Sequence, residues 1–316
     1  MRIFDVHVHY PGNRPGMQQP RQKPQERVDY LATKLREAGV AKACFLVRDG
    51  SADGGVNYKE ALKTMKPHND LFIPVANLNP GTTSPKDLEK LQAMGYRGVK
   101  IIGTEKEYDH PDYMPLWAKA EELSMPILFH MGVIGGGLDY AKTHPRRDPE
   151  AAVRYQEMME RLKNPPKDGQ GFPRRRNVSA IRMRPFHLDT LSANFPLLKI
   201  IGAHMGGTGN YDESASVARW RNFVFFDMSG GETIERHSIE RGLIGKEIGI
   251  EKLVWGSDCG ADEILTHVRR FETMFAFLNL TKDQMERLWW RNAAEIYGIE
   301  KPVMAKASKK AAASKR

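Results

Sequence analysis

Cysteine is nearly absent: Cys44 and Cys259 are the only two among 316 residues. That excludes a disulfide scaffold and a zinc site built from thiolates. No stretch approaches the ~20 apolar residues needed to span a bilayer, so a membrane is not an expected partner. The N-terminal MRIFDVHVHY is too short and too polar for a signal peptide, which makes the cytoplasm the expected compartment. No internal repeat is found. Disorder is excluded for the body, because 41% of residues are hydrophobic and 28% are charged.

Excess positive charge is present but local. The formal net charge is +9, and residues 301–316 (KPVMAKASKKAAASKR) carry six Lys or Arg and no acid, which leaves +3 for residues 1–300. Segment 133–190 carries 12 basic and 7 acidic residues, so the rest of the body is close to neutral. The low-complexity tail reads as a solvated, disordered appendage. Charge confined to a tail and one segment is a weak argument for a nucleic-acid partner.

Eight short apolar runs punctuate residues 3–257: IFDVHVH, KACFLV, LFIPVANL, GVKII, MPILFHM, KIIGAH, FVFFDMS and KLVWGS. Each has the length and the Val, Ile and Phe content of a strand buried on both faces. The intervening stretches read as helices. Ser84-Pro85 opens one that ends at Gly95, and Thr281 with Gln284 forms a capping box for another that ends at Gly298. Eight strand–helix units in ~300 residues predict an α/β chain folded as a single-domain (β/α)8 TIM barrel over residues 1–300. Two connections are long, 10–27 and 133–190; the second follows strand 5 and is expected to be a lid-like loop insertion.

The chemistry is concentrated at strand ends. In Asp5-Val6-His7-Val8-His9, strand alternation places Asp5, His7 and His9 on one face and Phe4, Val6 and Val8 on the other. The polar set is expected inside the barrel, the apolar set against the helices. His130 closes the fifth strand, His204 the sixth, and Asp258 follows the eighth. Five such residues at one level favour a bound divalent cation over a row of hydrogen-bonded core histidines. Imidazole and carboxylate donors suit Zn2+, Mn2+ or Fe2+, and the lack of thiolates favours a catalytic site with open positions. Buried histidines at strand ends have no place in the nucleic-acid reading.

The motifs DVHVH, GVKII, PILFHMG, FPLLKIIGAHMGG, FVFFDMSG, LVWGSDCG and RNAAEIYGI occur in this order over residues 3–299. Together they resemble the amidohydrolase superfamily, in its amidohydrolase-related branch of metal-dependent decarboxylases and small lactone or amide hydrolases. The resemblance implies one divalent metal held by His7, His9, His130 and Asp258; zinc is the first expectation, with manganese or ferrous iron as the others. It implies an acid/base role for His204, with Asp258 orienting or deprotonating a water. Lys100, in the fourth strand, is the position where some relatives carry a carboxylated lysine bridging two metals; the alternative is a lysine paired with a barrel carboxylate such as Asp5. Dimers are common among such relatives, so a homodimer is a further expectation.

Substrate contacts are read from the arginines. Arg48 follows the second strand and could clamp a substrate carboxylate through its planar fork. Arg184, with Arg182 and residues 174–176, could line an anionic pocket. His187 is expected to cap or pack, Cys259 to be a small buried thiol, and Trp289-Trp290 to pack the barrel. The expected reaction is hydrolysis of a small, anionic, cyclic ester, amide or related compound; the alternative is non-oxidative decarboxylation of a small aromatic or unsaturated acid.

Overall fold

The computed structural model describes residues 2–11, 23–50, 56–134, 179–230 and 232–300, with isolated positions between 152 and 163. The expectations of a lid over 133–190 and of a disordered tail at 301–316 fall largely or wholly outside these residues.

All eight apolar runs form strands, and all pair in parallel in chain order. They are β1 (Ile3–His9), β2 (Val40–Arg48), β3 (Phe72–Leu78), β4 (Gly98–Ile101), β5 (Ile127–Phe129), β6 (Ile200–Gly202), β7 (Val224–Asp227) and β8 (Leu253–Val254). The Val6 amide donates to Trp255 O at 3.0 Å and the Asp258 amide donates to His7 O at 2.9 Å, bringing β8 back against β1. Helices separate the strands, and the chain is a single-domain (β/α)8 TIM barrel. No helix among the described residues is long and apolar enough to cross a membrane.

The helix ends follow local chemistry. Before Pro85–Met94, the Ser84 amide donates to the Asp87 carboxylate at 3.0 Å. Gly95 then ends the helix with φ 111°, in the left-handed region that glycine adopts without strain. The Thr281 box forms as well: Gln284 N–H donates to Thr281 Oγ1 at 3.2 Å, and Thr281 N–H to Gln284 Oε1 at 2.9 Å.

Strand 1 departs from simple alternation. Asp5 pairs in register with Ala43 but Val8 with Phe45, so three steps on β1 meet two on β2. One residue is therefore extra, which is a β-bulge. Below it, Phe4 and Val6 join the cluster formed by Cys44, Leu46, Ile73, Val75, Leu128, Ile201 and Val254, the barrel interior. Above it, Val8 packs with the outer cluster and His7 points inward. Asp5 therefore does not share the face of His7 and His9, and Phe4 and Val6 point into the barrel and not toward the helices that surround it. Asp5 instead tends the bulge: its Oδ1 accepts the amides of His7 and Ser257, both at 3.0 Å.

The final helical segment runs through Lys282–Glu286, a wide turn at Arg287–Arg291 and Asn292–Ile296. It crosses the N-terminal mouth of the barrel. Phe4 lies 5.7 Å from Trp290 and 5.6 Å from Tyr297 between ring centroids. Lys199, just before β6, donates to the Glu295 and Ile296 carbonyls at 3.1 and 2.8 Å. Trp290, Ala293, Ala294 and Ile296 thus finish the interior cluster, while Trp289 packs in the outer one. Both tryptophans pack the barrel as expected.

Candidate metal centre

Chemistry collects at the opposite, C-terminal mouth. His7 is buried on β1 and His9 half-exposed two residues on. His130 follows β5, His204 follows β6 and Asp258 follows β8. Nitrogen and oxygen atoms of His7, His204 and Asp258 lie within 4.8 Å of one another. His7 Nε2 is 3.6 Å and His204 Nε2 3.8 Å from the Asp258 carboxylate. His9 Nε2 sits 3.1 Å from Asp258 Oδ1, and His130 Nδ1 3.3 Å from His204 Nε2. All five strand-end residues thus form one chain of contacts. Its tightest trio contains His204, with His9 and His130 on its flanks.

The loops after β5 and β6 are held together by glycine. A Cβ at Gly207 would lie 2.7 Å from Gly132 Cα, and one at Gly132 2.9 Å from Gly207 Cα. Only hydrogen fits at both positions, and this backbone contact brings the two HMG segments, and so His130 and His204, side by side. His204, Met205 and Asp258 have φ values of 57°, 48° and 46°. A non-glycine residue in that region costs about 1–3 kcal/mol, and here hydrogen bonds hold it there. The His204 amide donates to Asp227 Oδ1 at 2.9 Å, and the Asp258 amide is fixed to β1.

Asp227, the last residue of β7, organises the site and was not singled out from the sequence. It is fully buried. Its Oδ2 accepts from His7 Nδ1 at 2.8 Å, and its Oδ1 accepts the amides of His204 and Ser229 and the Ser229 hydroxyl at 2.9, 3.0 and 2.5 Å. The signal that could have found it is the one that found His130 and His204: a polar residue closing an apolar strand, here VFFD. Ser229 follows from it by strand spacing.

These hydrogen bonds set proton positions. Burial pushes the Asp227 carboxyl upward, but the fields and hydrogen bonds of His7 and His204, with Ser229, bring it below the usual carboxylate range. An ionised carboxylate only accepts, so His7 carries its proton on Nδ1 and presents a bare Nε2 to the site. Burial lowers the His7 pKa to about 4, which keeps that nitrogen bare at neutral pH. Asp258 is held well below its ordinary range by His7, His9 and His204, against the push of burial. Burial, with His204 and Lys100 beside it, also holds His130 well below the ordinary histidine value.

His130 Nε2 faces the Val133 carbonyl at 3.3 Å, to which it donates. That leaves His130 Nδ1 bare and facing His204 Nε2. The bare His7 Nε2 and His130 Nδ1 and the Asp258 carboxylate form a donor set that a divalent cation satisfies. The residues therefore fit the metal expected for this site.

Lys100 is completely buried on β4, and its Nζ lies 3.3 Å from His7 Nε2. It turns to His7 and not to Asp5, whose Oδ2 has no hydrogen-bond partner among the described residues. Burial lowers the ammonium to about 8, opposed by Asp227 and Asp258. In register, Arg48 pairs with Asn77 and Asn77 with Lys100, so these three form one inward-facing rank beside His7. Arg184 sits at the start of Pro185–Asn194 and is paired with Glu213. Arg182 lies 3.9 Å from Glu107. His187 packs between Asp109, 2.8 Å from its Nδ1, and the Ile181 carbonyl, 3.0 Å from its Nε2. Cys259 is partly buried against the outer core.

No curated protein matches the chain significantly. Solved structures similar to it include a probable 2-pyrone-4,6-dicarboxylic acid hydrolase from Acinetobacter baumannii, at 15% identity and TM-score 0.55. The match covers 94% of this chain and 100% of that one. Also similar is a 5-carboxyvanillate decarboxylase from Sphingomonas paucimobilis, at 16% identity and TM-score 0.57, over 94% and 99% of the two chains. A third is a dihydroxybenzoic acid decarboxylase from Polaromonas sp. JS666 with bound manganese, at 15% and 0.57, over 94% and 97%. At these identities the likeness shows the fold. The family model for the amidohydrolases (Amidohydro_2), a metal-dependent group whose members are mostly enzymes, matches residues 4–299, and the chain belongs to that family.

Proposed function

We propose that the protein is a metal-dependent hydrolase of a small, anionic ester, amide or lactone. His7, His9, His130 and Asp258 hold one divalent ion, with zinc as the first choice and manganese or ferrous iron as the others, and His204 faces it as acid/base. The ion, when bound, supplies a Lewis acid that polarises a substrate oxygen and acidifies water.

The observation that carries the reading is the placement of His204 Nε2 3.8 Å from the Asp258 carboxylate. An imidazole nitrogen and a carboxylate can each take up a proton, which is what attack by water requires. Water oxygen bonds to the acyl carbon and its proton goes to His204 Nε2. His204 then returns that proton to the departing alkoxide or amine. Asp258 orients the attacking water through its carboxylate. Arg48, Asn77 and Lys100 form a polar rank beside this locus that suits a carboxylate on the substrate.

Decarboxylation is the second reading, and Lys100 is the observation that favours it. Loss of CO2 needs a proton delivered to carbon, and Lys100 is a buried ammonium at the site, next to His7. The same cage and the same carboxylate-binding rank serve either reaction.

A panel of lactones and amides screened beside carboxylated phenols separates the two. Hydrolysis predicts solvent 18O in the product and no CO2. CO2 release with solvent deuterium on carbon, abolished in Lys100→Met, overturns the hydrolase reading and installs the second.

A further inference from the structure

Ser229 sits where three of the site's groups meet. It is 1% exposed. Its Oγ lies 2.5 Å from Asp227 Oδ1, 2.8 Å from His204 Nδ1 and 3.4 Å from His7 Nδ1. A hydroxyl carries one proton and two lone pairs. Asp227 Oδ1 already accepts two backbone amides, those of His204 and Ser229, so it is an acceptor here. The short contact to it must therefore use the Ser229 proton. What faces His204 Nδ1 is then a lone pair of the hydroxyl, and a lone pair calls for an N–H.

We propose that Ser229 is a positioning residue that locks His204 in the Nδ1–H tautomer, so that its Nε2 is the bare nitrogen turned into the site. The inference rests on the reading of His204 as acid/base. The chain of donation runs from His204 Nδ1–H to Ser229, from Ser229 to Asp227 Oδ1, and from His7 Nδ1–H to Asp227 Oδ2. One carboxylate thereby sets the tautomers of two neighbouring imidazoles, whose ring centroids lie 5.4 Å apart, one directly and one through the serine.

Without the hydroxyl, His204 loses the side-chain partner that Nδ1 has among the described residues. Its backbone stays pinned, because the amide of His204 is bound to Asp227 directly. The ring would then be free to place its proton on Nε2, the more stable position in a free imidazole. A proton on Nε2 would be donated to the bare His130 Nδ1, 3.3 Å away, and would take Nε2 away as a base. When His204 takes up a proton during turnover, the Ser229–Asp227 pair also stabilises the imidazolium without itself moving a proton.

The test is the histidine tautomer, read by 15N–1H correlation spectra of the zinc-loaded full chain labelled at histidine. The His204 signal is identified by its loss in His204→Asn. Wild type should show Nδ1–H. Ser229→Ala should move the Nδ1–H to Nε2–H ratio by roughly tenfold, the scale of one net hydrogen bond, and Ser229→Thr should restore it. Turnover on a substrate from the panel above should fall about tenfold in Ser229→Ala with KM unchanged, and recover in Ser229→Thr. An Nε2–H signal in wild type overturns the proposal outright, whether or not the alanine variant folds. An unchanged tautomer in a folded Ser229→Ala protein overturns it too. A shifted tautomer with unchanged turnover supports the role of Ser229 and refutes the acid/base reading of His204 instead.

Discussion

The two mouths of the barrel are built from the same eight strands by opposite means. Toward the N-terminal mouth Phe4, Ile73, Leu128, Ile201 and Val254 fill the barrel interior, and Trp290 with its neighbours closes over them. At the C-terminal mouth, at or just past the strand ends, stand His7, Lys100, His130, Asp227 and Asp258. The first end buries apolar area and satisfies its few polar groups locally, as with Lys199 on the terminal helix. The second buries charge, holds three non-glycine residues at positive φ and brings two imidazole nitrogens within 3.3 Å of each other. Stability belongs to one end and strain to the other. Substitutions at each end should therefore be separable in kind.

The largest effect is expected at the sealed end. Trp290→Ala removes the lid residue over Phe4 and should cost about 3–5 kcal/mol of folding stability. A urea titration measures it, and the folded fraction should retain wild-type metal content. Loss of metal at unchanged stability would show that the two ends are not independent.

Next comes His204→Asn. It should lower turnover by ~100-fold or more while the melting temperature stays near wild type and the metal stays bound. Loss of metal in this variant would make His204 a ligand, matching its place in the tightest trio with His7 and Asp258, and would reopen a two-metal site involving Lys100.

Gly207→Ala should cost about 1–3 kcal/mol, because its Cβ meets the Gly132 backbone and because φ is 84°. It should also weaken metal binding by parting the loops that carry His130 and His204. Thermal melts with and without added metal separate the two contributions. Equal destabilisation in both would mean that the glycine contact serves the fold alone. The smallest effect is expected from the tail: truncation after Pro302 should leave folding and turnover unchanged, since residues 303–316 offer little to pack. Activity lost on truncation would contradict the solvated-tail reading.

The difference between the mouths also explains what the sequence disclosed. Parallel strands buried on both faces must be apolar throughout, so all eight stood out as runs against helical stretches. His130, His204 and Asp258 stood out because each interrupts such a run at its end. Asp227 obeys the same rule, but nothing in VFFD shows the hydrogen bonds from His7, His204 and Ser229 that distinguish it from any carboxylate closing a strand. The inward turn of Val6 was misread because alternation assumes an unbroken ladder. A bulge changes the phase without changing composition, and only the pairing of β1 with β2 exposes it. The crossing of the terminal helix over the barrel floor depends on contacts such as Phe4 with Trp290, nearly the whole chain apart, which no local pattern carries.

The central claim is that the polar mouth is a site for one divalent ion. Elemental analysis of the full chain, purified without chelator, tests it directly. About one equivalent of zinc, manganese or iron per chain is expected, falling well below that in His7→Ala and in His130→Ala while both variants stay folded. Full turnover after exhaustive chelation, with no metal detected in the protein, would contradict it.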